Sequence, residues 1–186
     1  MMRHIPKFPE LLRLAETKLT NRLGGNARIR FIMGYDEGVL GIIHIIDREK
    51  FREELRYTPL EIEQRMMKPG FLCLLVYLED KPIAFEYGYD VSEGVYFSDS
   101  QATLIEGKGV GTTQFALEIL YLYKKGYQQI TLSTEELDDQ GRTLRSFWER
   151  MGFNVTNREQ DGNVDMMMEL TPETAYYQYE HYIKPR

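Results

Sequence analysis

From Phe8 to Leu23 apolar side chains recur at the spacing of one helix face, and Gly24-Gly25 ends the pattern, which predicts a first helix. Two apolar runs follow, Arg28 to Met33 and Val39 to Ile46, separated by Gly34-Tyr35-Asp36-Glu37-Gly38; this order predicts strand, turn and strand. Arg48 to Tyr57 then resembles a charged helix. Thr58-Pro59 supplies an N-cap residue with proline at the first helical position, so a further helix is expected over Leu60 to Lys68, stopped by Pro69-Gly70.

Beyond Gly70 the pattern becomes that of strands. Phe71 to Leu78, a turn at Glu79-Asp80-Lys81-Pro82 and Ile83 to Tyr89 predict a hairpin, and Asp90 to Gly94 turns the chain into the extended run Val95 to Ile105. A helix is expected from Thr112 to Lys125 with Gly126 at its end, then a strand from Gln129 to Ser133. A second helix, about Gly141 to Met151, closes at Gly152-Phe153, and strands near Asn154 to Arg158 and Asn163 to Leu170 flank a turn at Gln160-Asp161-Gly162. The tyrosine-rich segment Thr171 to Arg186 reads either as a terminal helix, with Glu173 one residue early for a capping box on Thr171, or as an arm against a partner subunit in a homodimer. The order of elements places the chain in the α+β class, helices layered on one sheet.

At 186 residues the chain can bury a full core as a single domain over 1–186. Charged residues at 28% and hydrophobic ones at 42% give the balance of a soluble protein, and no apolar run reaches the length of a membrane span. The start, Met1-Met2-Arg3-His4-Ile5-Pro6, lacks the apolar stretch of a signal peptide. Cys73 is the only cysteine and lies inside the run Phe71 to Leu78. That excludes a disulfide framework, favours a buried strand thiol over a nucleophile, and fits a reducing cytoplasm. No CxxC or HExxH spacing occurs, so no metal is expected. A net charge of −6 without a block of Lys or Arg argues against nucleic acid and fits an amine-bearing substrate better.

The candidate chemistry gathers at Glu106-Gly107-Lys108-Gly109-Val110-Gly111-Thr112, between the extended run and the long helix. Glycines at alternate positions let another group approach the backbone, and the helix N-terminus behind them offers free N–H groups and a positive dipole end to an anion. A P-loop would need glycine at 102 and Ser or Thr at 109, where the chain has Ala102 and Gly109. A dinucleotide fingerprint would need a small residue at Thr112 or Gln114. The acidic residue of an S-adenosylmethionine methyltransferase loop would fall at Ile105, one residue before Glu106.

With this loop, the stretch Val95 to Leu170 resembles the core of the GNAT superfamily of N-acetyltransferases, which bind acyl-coenzyme A. The family loop reads Gln/Arg-x-x-Gly-x-Gly/Ala, and Glu106-Gly107-Lys108-Gly109-Val110-Gly111 departs from it only at Glu106. Helix, strand, helix and an ending like Tyr-x-x-x-Gly-Phe then follow in the family, as Trp148-Glu149-Arg150-Met151-Gly152-Phe153 does in this chain. The resemblance implies a GNAT-like fold with a mostly antiparallel central sheet, an acyl-CoA-binding core over 71–170, a variable part over 1–70 and a tail over 171–186.

It also implies site residues. Loop N–H groups of Lys108, Gly109, Val110, Gly111 and Thr112, with Gly107 and Glu106 alongside, would hold the coenzyme A pyrophosphate. The Lys108 side chain either adds attraction or is merely solvated, and the Glu106 carboxylate would be repulsive unless turned away. A backbone N–H of Gln101 or Ala102 would polarise the thioester carbonyl. The glutamate base of some members falls at Val95, which cannot act; strand alternation gives Asp99 the same face, as a base or as a solvated or turn-capping aspartate, with Glu135 and Glu136 as second choices. Trp148 replaces a tyrosine that protonates the departing thiolate, so the thiolate leaves unassisted or Ser146 helps. The implied activity is transfer of an acetyl or other acyl group from acyl-CoA to a primary amine of a small molecule or peptide. A non-catalytic acyl-CoA-binding module and an S-adenosylmethionine-dependent methyltransferase are the alternatives.

Overall fold

In the computed structural model, which describes residues 4–138 and 140–185, seven strands form one sheet in the order β1-β2-β3-β4-β5-β7-β6. The strands are β1 (Ala27–Met33), β2 (Leu72–Leu78), β3 (Lys81–Ser92), β4 (Val95–Thr103), β5 (Gln129–Glu135), β6 (Asn154–Arg158) and β7 (Asn163–Glu169). The helices are α1 (Phe8–Leu23), α2 (Glu37–Lys50), α3 (Pro59–Met66), α4 (Val110–Lys124), α5 (Leu144–Met151) and α6 (Pro172–Gln178). Among the described residues, β4 and β5 alone pair in parallel; the other neighbours are antiparallel. The terminal Met1-Met2-Arg3 and Arg186 lie outside the described residues.

The continuous apolar run of β2 is explained by burial on both faces of the sheet. Leu72, Leu74 and Val76 join the core beneath α1, α4 and α6, whereas Cys73 and Leu75 join Phe85 and Tyr87 beneath α2 and α3. The Cys73 thiol is wholly buried, and burial pushes its pKa well up, so it is a packing residue. Helix α4 is covered nearly all round: even its polar Thr113, Gln114 and Glu118 are 0% exposed. It is the central pillar of that layer.

The strand expected over Val39 to Ile46 is a helix. Asp36 caps α2, its Oδ1 accepting from the Val39 N–H at 2.9 Å, and Val39, Ile43, Ile46 and Asp47 form the buried helical stripe while Ile45 is 66% exposed. The isoleucine-rich composition reads as β, but the spacing of buried positions is helical. The charged helix expected over Arg48 to Tyr57 shrinks accordingly: α2 ends at Lys50, and only a 3-10 turn, Glu53–Leu55, precedes α3. Helix α5 starts three residues late because Asp138 captures the chain first. Its Oδ1 accepts from the Gln140 and Arg142 N–H groups, which ties both residues back to Asp138 ahead of the helix.

The tail is a terminal helix rather than an arm. Thr171 and Thr174 form the capping box, and Ala175, Gln178 and Ile183 are each 0% exposed against the α1–α4 layer. At the opposite sheet edge, α1 covers β1 with polar atoms as well as apolar ones. Glu16 Oε1 accepts from the Ile29 N–H and Thr20 Oγ1 from the Ala27 N–H, both at 2.9 Å, so two outward donors of an edge strand are satisfied within the chain. Replacing Thr20 with valine keeps the shape and removes that acceptor. Urea denaturation should show a loss of about 0.5–1.5 kcal/mol, with an unchanged slope.

Candidate functional site

The central feature is a parallel pair that comes apart. Val95, Tyr96 and Phe97 of β4 pair with Gln129, Ile130 and Thr131 of β5, and there the ladder stops. From Ser98 onward β4 pairs only with β3, while β5 from Leu132 to Glu135 pairs only with β7. A bulge lies at the parting: Tyr87 pairs with Ser100 and Gly88 with Ser98, leaving Asp99 without an opposite residue. The extra residue resets the alternation. Phe97 and Asp99 face α2 and α3, whereas Gln101 turns its side chain to the other face, where Nε2 reaches the Gly111 carbonyl of α4 at 3.0 Å.

The same ladder distinguishes the two backbone candidates. The Leu104 N–H donates to the Ile83 carbonyl at 2.8 Å, so alternation directs the Ala102 N–H towards β3 and the Gln101 N–H into the gap that β5 has left. Of the pair, Gln101 is the residue whose N–H faces the open side.

The chain then turns through the glycines into α4. Gly107 and Gly109 have φ of 74° and 75°, the left-handed region where glycine is unstrained. Gly109 is the N-cap and offers no capping side chain; the first bond of the helix is the Thr113 N–H to the Gly109 carbonyl at 3.0 Å. The N–H groups of Val110, Gly111 and Thr112 therefore project from the helix end without an intrahelical acceptor. A Cβ at Gly109 would overlap the guanidinium of Arg22, which α1 brings over the loop. Among the described residues no acidic side chain pairs with Arg22, so a cation and a positive dipole end share one place. Nothing in the local sequence marks Arg22, because the fold brings α1 to the loop. Glu106 is turned onto Lys50 at the end of α2, 2.8 Å away, and this partner lowers its pKa; Lys108 is exposed. An anion at the loop thus meets donors and a guanidinium, with the Glu106 carboxylate already paired.

On the other face Asp99 is nearly buried, its side chain 5% exposed. Oδ1 accepts from the Tyr57 hydroxyl at 3.1 Å, and Oδ2 from the Tyr89 hydroxyl and Arg65 Nε, both at 2.8 Å. Arg65 also stacks 3.7 Å over the Tyr57 ring. The carboxylate thus already holds three donors. Burial, then the Asp99 charge, raises the Tyr57 pKa, while for Tyr89 burial and the Asp99 hydrogen bond push it up still further. The two second-choice carboxylates are paired as well: Glu135 with Arg52 at 2.7 Å, and Glu136 with Arg145 and Arg158, both at 2.9 Å. Glu135, Glu136, Arg145 and Asp161 border an open cleft of about 560 Å³ at the carboxyl end of β5.

The connection from α2 to α3 joins the ends of the parting strands. Lys50 holds Glu106 after β4, Arg52 holds Glu135 at the end of β5, and Tyr57 holds Asp99. On α5, Ser146 is half-buried, and Trp148 packs against Phe115, Phe147 and Phe153 with ring centroids 4.7, 4.8 and 5.8 Å away. The indole is a packing group of the aromatic core.

No family model matches the sequence, and no curated protein does. Solved structures match the fold. The aminoglycoside 6'-N-acetyltransferase from Enterococcus faecium is similar with a TM-score of 0.65 at 14% identity, covering 77% of this chain and 97% of that one. The ribosomal-protein-S18-alanine N-acetyltransferase from Escherichia coli gives 0.62 at 15% identity over 77% and 94%. The PaiA N-acetyltransferase from Thermoplasma acidophilum, solved in complex with coenzyme A, gives 0.60 at 15% over 76% and 98%.

The Asp99 cluster makes a separable prediction. Asp99→Asn replaces an acceptor of three donors, one of them cationic, and should cost about 1–3 kcal/mol of stability by urea denaturation. An unperturbed melting curve would leave Asp99 free of that structural duty.

Proposed function

Since the chain has the fold of the GNAT N-acetyltransferases, we propose that it is an acyl-CoA-dependent N-acyltransferase, moving an acetyl or other acyl group onto a primary amine. The observation that carries this reading is the gap between β4 and β5 beside an uncapped helix N-terminus. Acyl-CoA supplies an activated thioester and a pyrophosphate. The N–H groups of Val110, Gly111 and Thr112, with Lys108 and Arg22 as nearby cations, suit the pyrophosphate. The unpaired edges of β4 and β5 suit an extended amide chain, which restores hydrogen bonds that the strands lack. The Gln101 N–H is directed where an oxyanion would need a donor; Ala102 supports it from the β3 side.

Direct attack requires a neutral amine and a route for its proton. Asp99 serves best as a positioning residue, holding Tyr57, Tyr89 and Arg65 along the acceptor side, so the proton passes to solvent. Ser146 is the remaining candidate near the leaving thiolate. The acceptor is a small-molecule or peptide amine, entering from the α2–α3 side. The packing of Trp148 and the occupied Asp99 favour one other reading, a module that binds acyl-CoA without turning it over.

Calorimetry and thermal shift with acetyl-CoA, coenzyme A and S-adenosylmethionine test the reading. Both CoA species should stabilise the protein, by about 2.7 kcal/mol at a hundredfold excess over Kd, with no response to S-adenosylmethionine. Silence from both would remove the proposal, and binding without turnover across an amine panel would leave the binding module. Gly111→Ala is the sharper probe, because a Cβ there meets Gln101 Nε2 at 3.6 Å, an ordinary contact, yet stands at the helix end that the pyrophosphate would approach. It should keep its melting temperature within a few degrees yet lose acetyl-CoA affinity by about tenfold or more. Arg22→Ala should lower affinity about 3- to 10-fold, with a weaker salt dependence.

A further inference from the structure

Beneath the parting strands, on the face covered by α4, two glutamates are entirely enclosed. Glu86 of β3 and Glu118 of α4 are both 0% exposed, with their carboxyl groups within hydrogen-bonding reach of each other. Each has one oxygen accounted for: Glu86 Oε2 accepts from Gln101 Nε2 at 2.9 Å, and Glu118 Oε1 from the Tyr96 hydroxyl at 2.7 Å. Glu86 Oε1 and Glu118 Oε2 are buried without a donor. Two ionised carboxylates there would repel in a low-dielectric setting and leave both of these oxygens unsatisfied. A single proton between them supplies the missing donor and removes one charge.

Among the described residues, no cation compensates the pair. The groups facing the pair are Cys73 from β2 and Tyr96 and Gln101 from β4, none of them cationic. Burial, with the Glu118 charge adding to it, drives the Glu86 pKa well above the carboxylate range, and burial pushes Glu118 up to about 7. The Gln101 amide that binds Glu86 makes a second bond with the same nitrogen, to the Gly111 carbonyl at 3.0 Å. One side chain therefore ties the carboxyl pair to the first turn of α4.

We propose that Glu86 and Glu118 hold one shared proton and, through Gln101, act as positioning residues that set the glycine-loop end of α4 against β4. The functional consequence rests on the acyl-CoA reading of that helix end. With the proton in place, the first turn is held in register with the parted strand. Its loss puts two negative charges between β3 and α4, loosens the Gln101–Gly111 tie, and weakens acyl-CoA binding. The folded chain keeps a proton that the unfolded chain releases near the ordinary glutamate value. Stability therefore declines as the pH rises from there through the raised folded value of the pair.

Glu86→Gln and Glu118→Gln each preserve shape, give the remaining carboxylate an N–H donor and abolish the shared proton. The test follows the backbone amide signals of Val110, Gly111 and Thr112 by nuclear magnetic resonance in the ligand-free protein, from about pH 5.5 to 9. Calorimetry measures acetyl-CoA affinity over the same range. In the wild type the three amides should titrate together with one midpoint well above the ordinary glutamate value, and affinity should fall about 5-fold or more towards high pH. In either variant the common midpoint should vanish and the affinity profile flatten; if one variant fails to fold, the other decides. Wild-type amides without that midpoint, or the same midpoint in a folded variant, overturn the proposal. Absence of acetyl-CoA binding at every pH removes the acyl-CoA reading instead, and the ligand-free titration still decides the shared-proton tie.

Discussion

From Ser98 to Thr103, β4 has a neighbouring strand on one side only, inside a sheet that continues beyond it. Strand backbone groups are obligatory hydrogen-bonding groups, and a gap in the middle of a sheet persists only where the surroundings hold it open. Three features do so. The bulge at Asp99 turns β4 and changes which side chains face which layer. Helix α4 leaves the strand through glycines in left-handed conformations, so its N-terminus comes beside the gap. Beyond the parting, β5 is committed to β7 along its full length.

Helix α4 can hold this position because it is enclosed rather than laid on the surface. Its apolar residues pack against α1, the sheet and the terminal helix, which fixes its axis. Polar ties then fix its depth and rotation: Gln114 to the Leu74 carbonyl at 2.8 Å, Glu118 to Tyr96, and Gly111 to Gln101. Buried polar contacts of this kind are costly when incomplete and specific when complete. They place the open helix end more closely than apolar packing alone could.

The two faces of the sheet divide the work. On the α4 face lie the loop, its unclaimed N–H groups and Arg22. On the α2–α3 face, the carboxylate of Asp99 gathers two tyrosines and an arginine, and the connecting segment from Lys50 to Tyr57 bridges both strand ends through ion pairs. Those partly exposed pairs contribute little stability each, so the bridge is among the easier parts of the molecule to open. The solved structures of this fold include enzymes whose names give an aminoglycoside and a ribosomal-protein alanine as acceptors.

The sequence by itself determined what local chemistry can determine. The glycines at 107, 109 and 111, the apolar run of β2, the proline and threonine ahead of α3 and the glycine stops fixed most elements and located the loop, because backbone freedom, capping and burial leave marks at short range. Val39 to Ile46 departs from the strand expectation for a local reason too: β-branched residues imitate a strand, although Asp36 and the spacing of Val39, Ile43 and Ile46 are those of a helix. Only the tertiary structure decided the rest. The parting of β4 from β5 depends on pairing partners far apart in the chain, and the bulge that turns Gln101 away from the Asp99 face depends on β3. Arg22 reaches the loop only because α1 packs on α4. Asp99 could be placed on its face by alternation, but its three donors come from α3, β3 and the segment between helices. Glu86 and Glu118 lie thirty-two positions apart and look like two ordinary charged residues until the fold encloses them together, where desolvation and mutual repulsion, both properties of a surrounding that no single stretch encodes, set their chemistry.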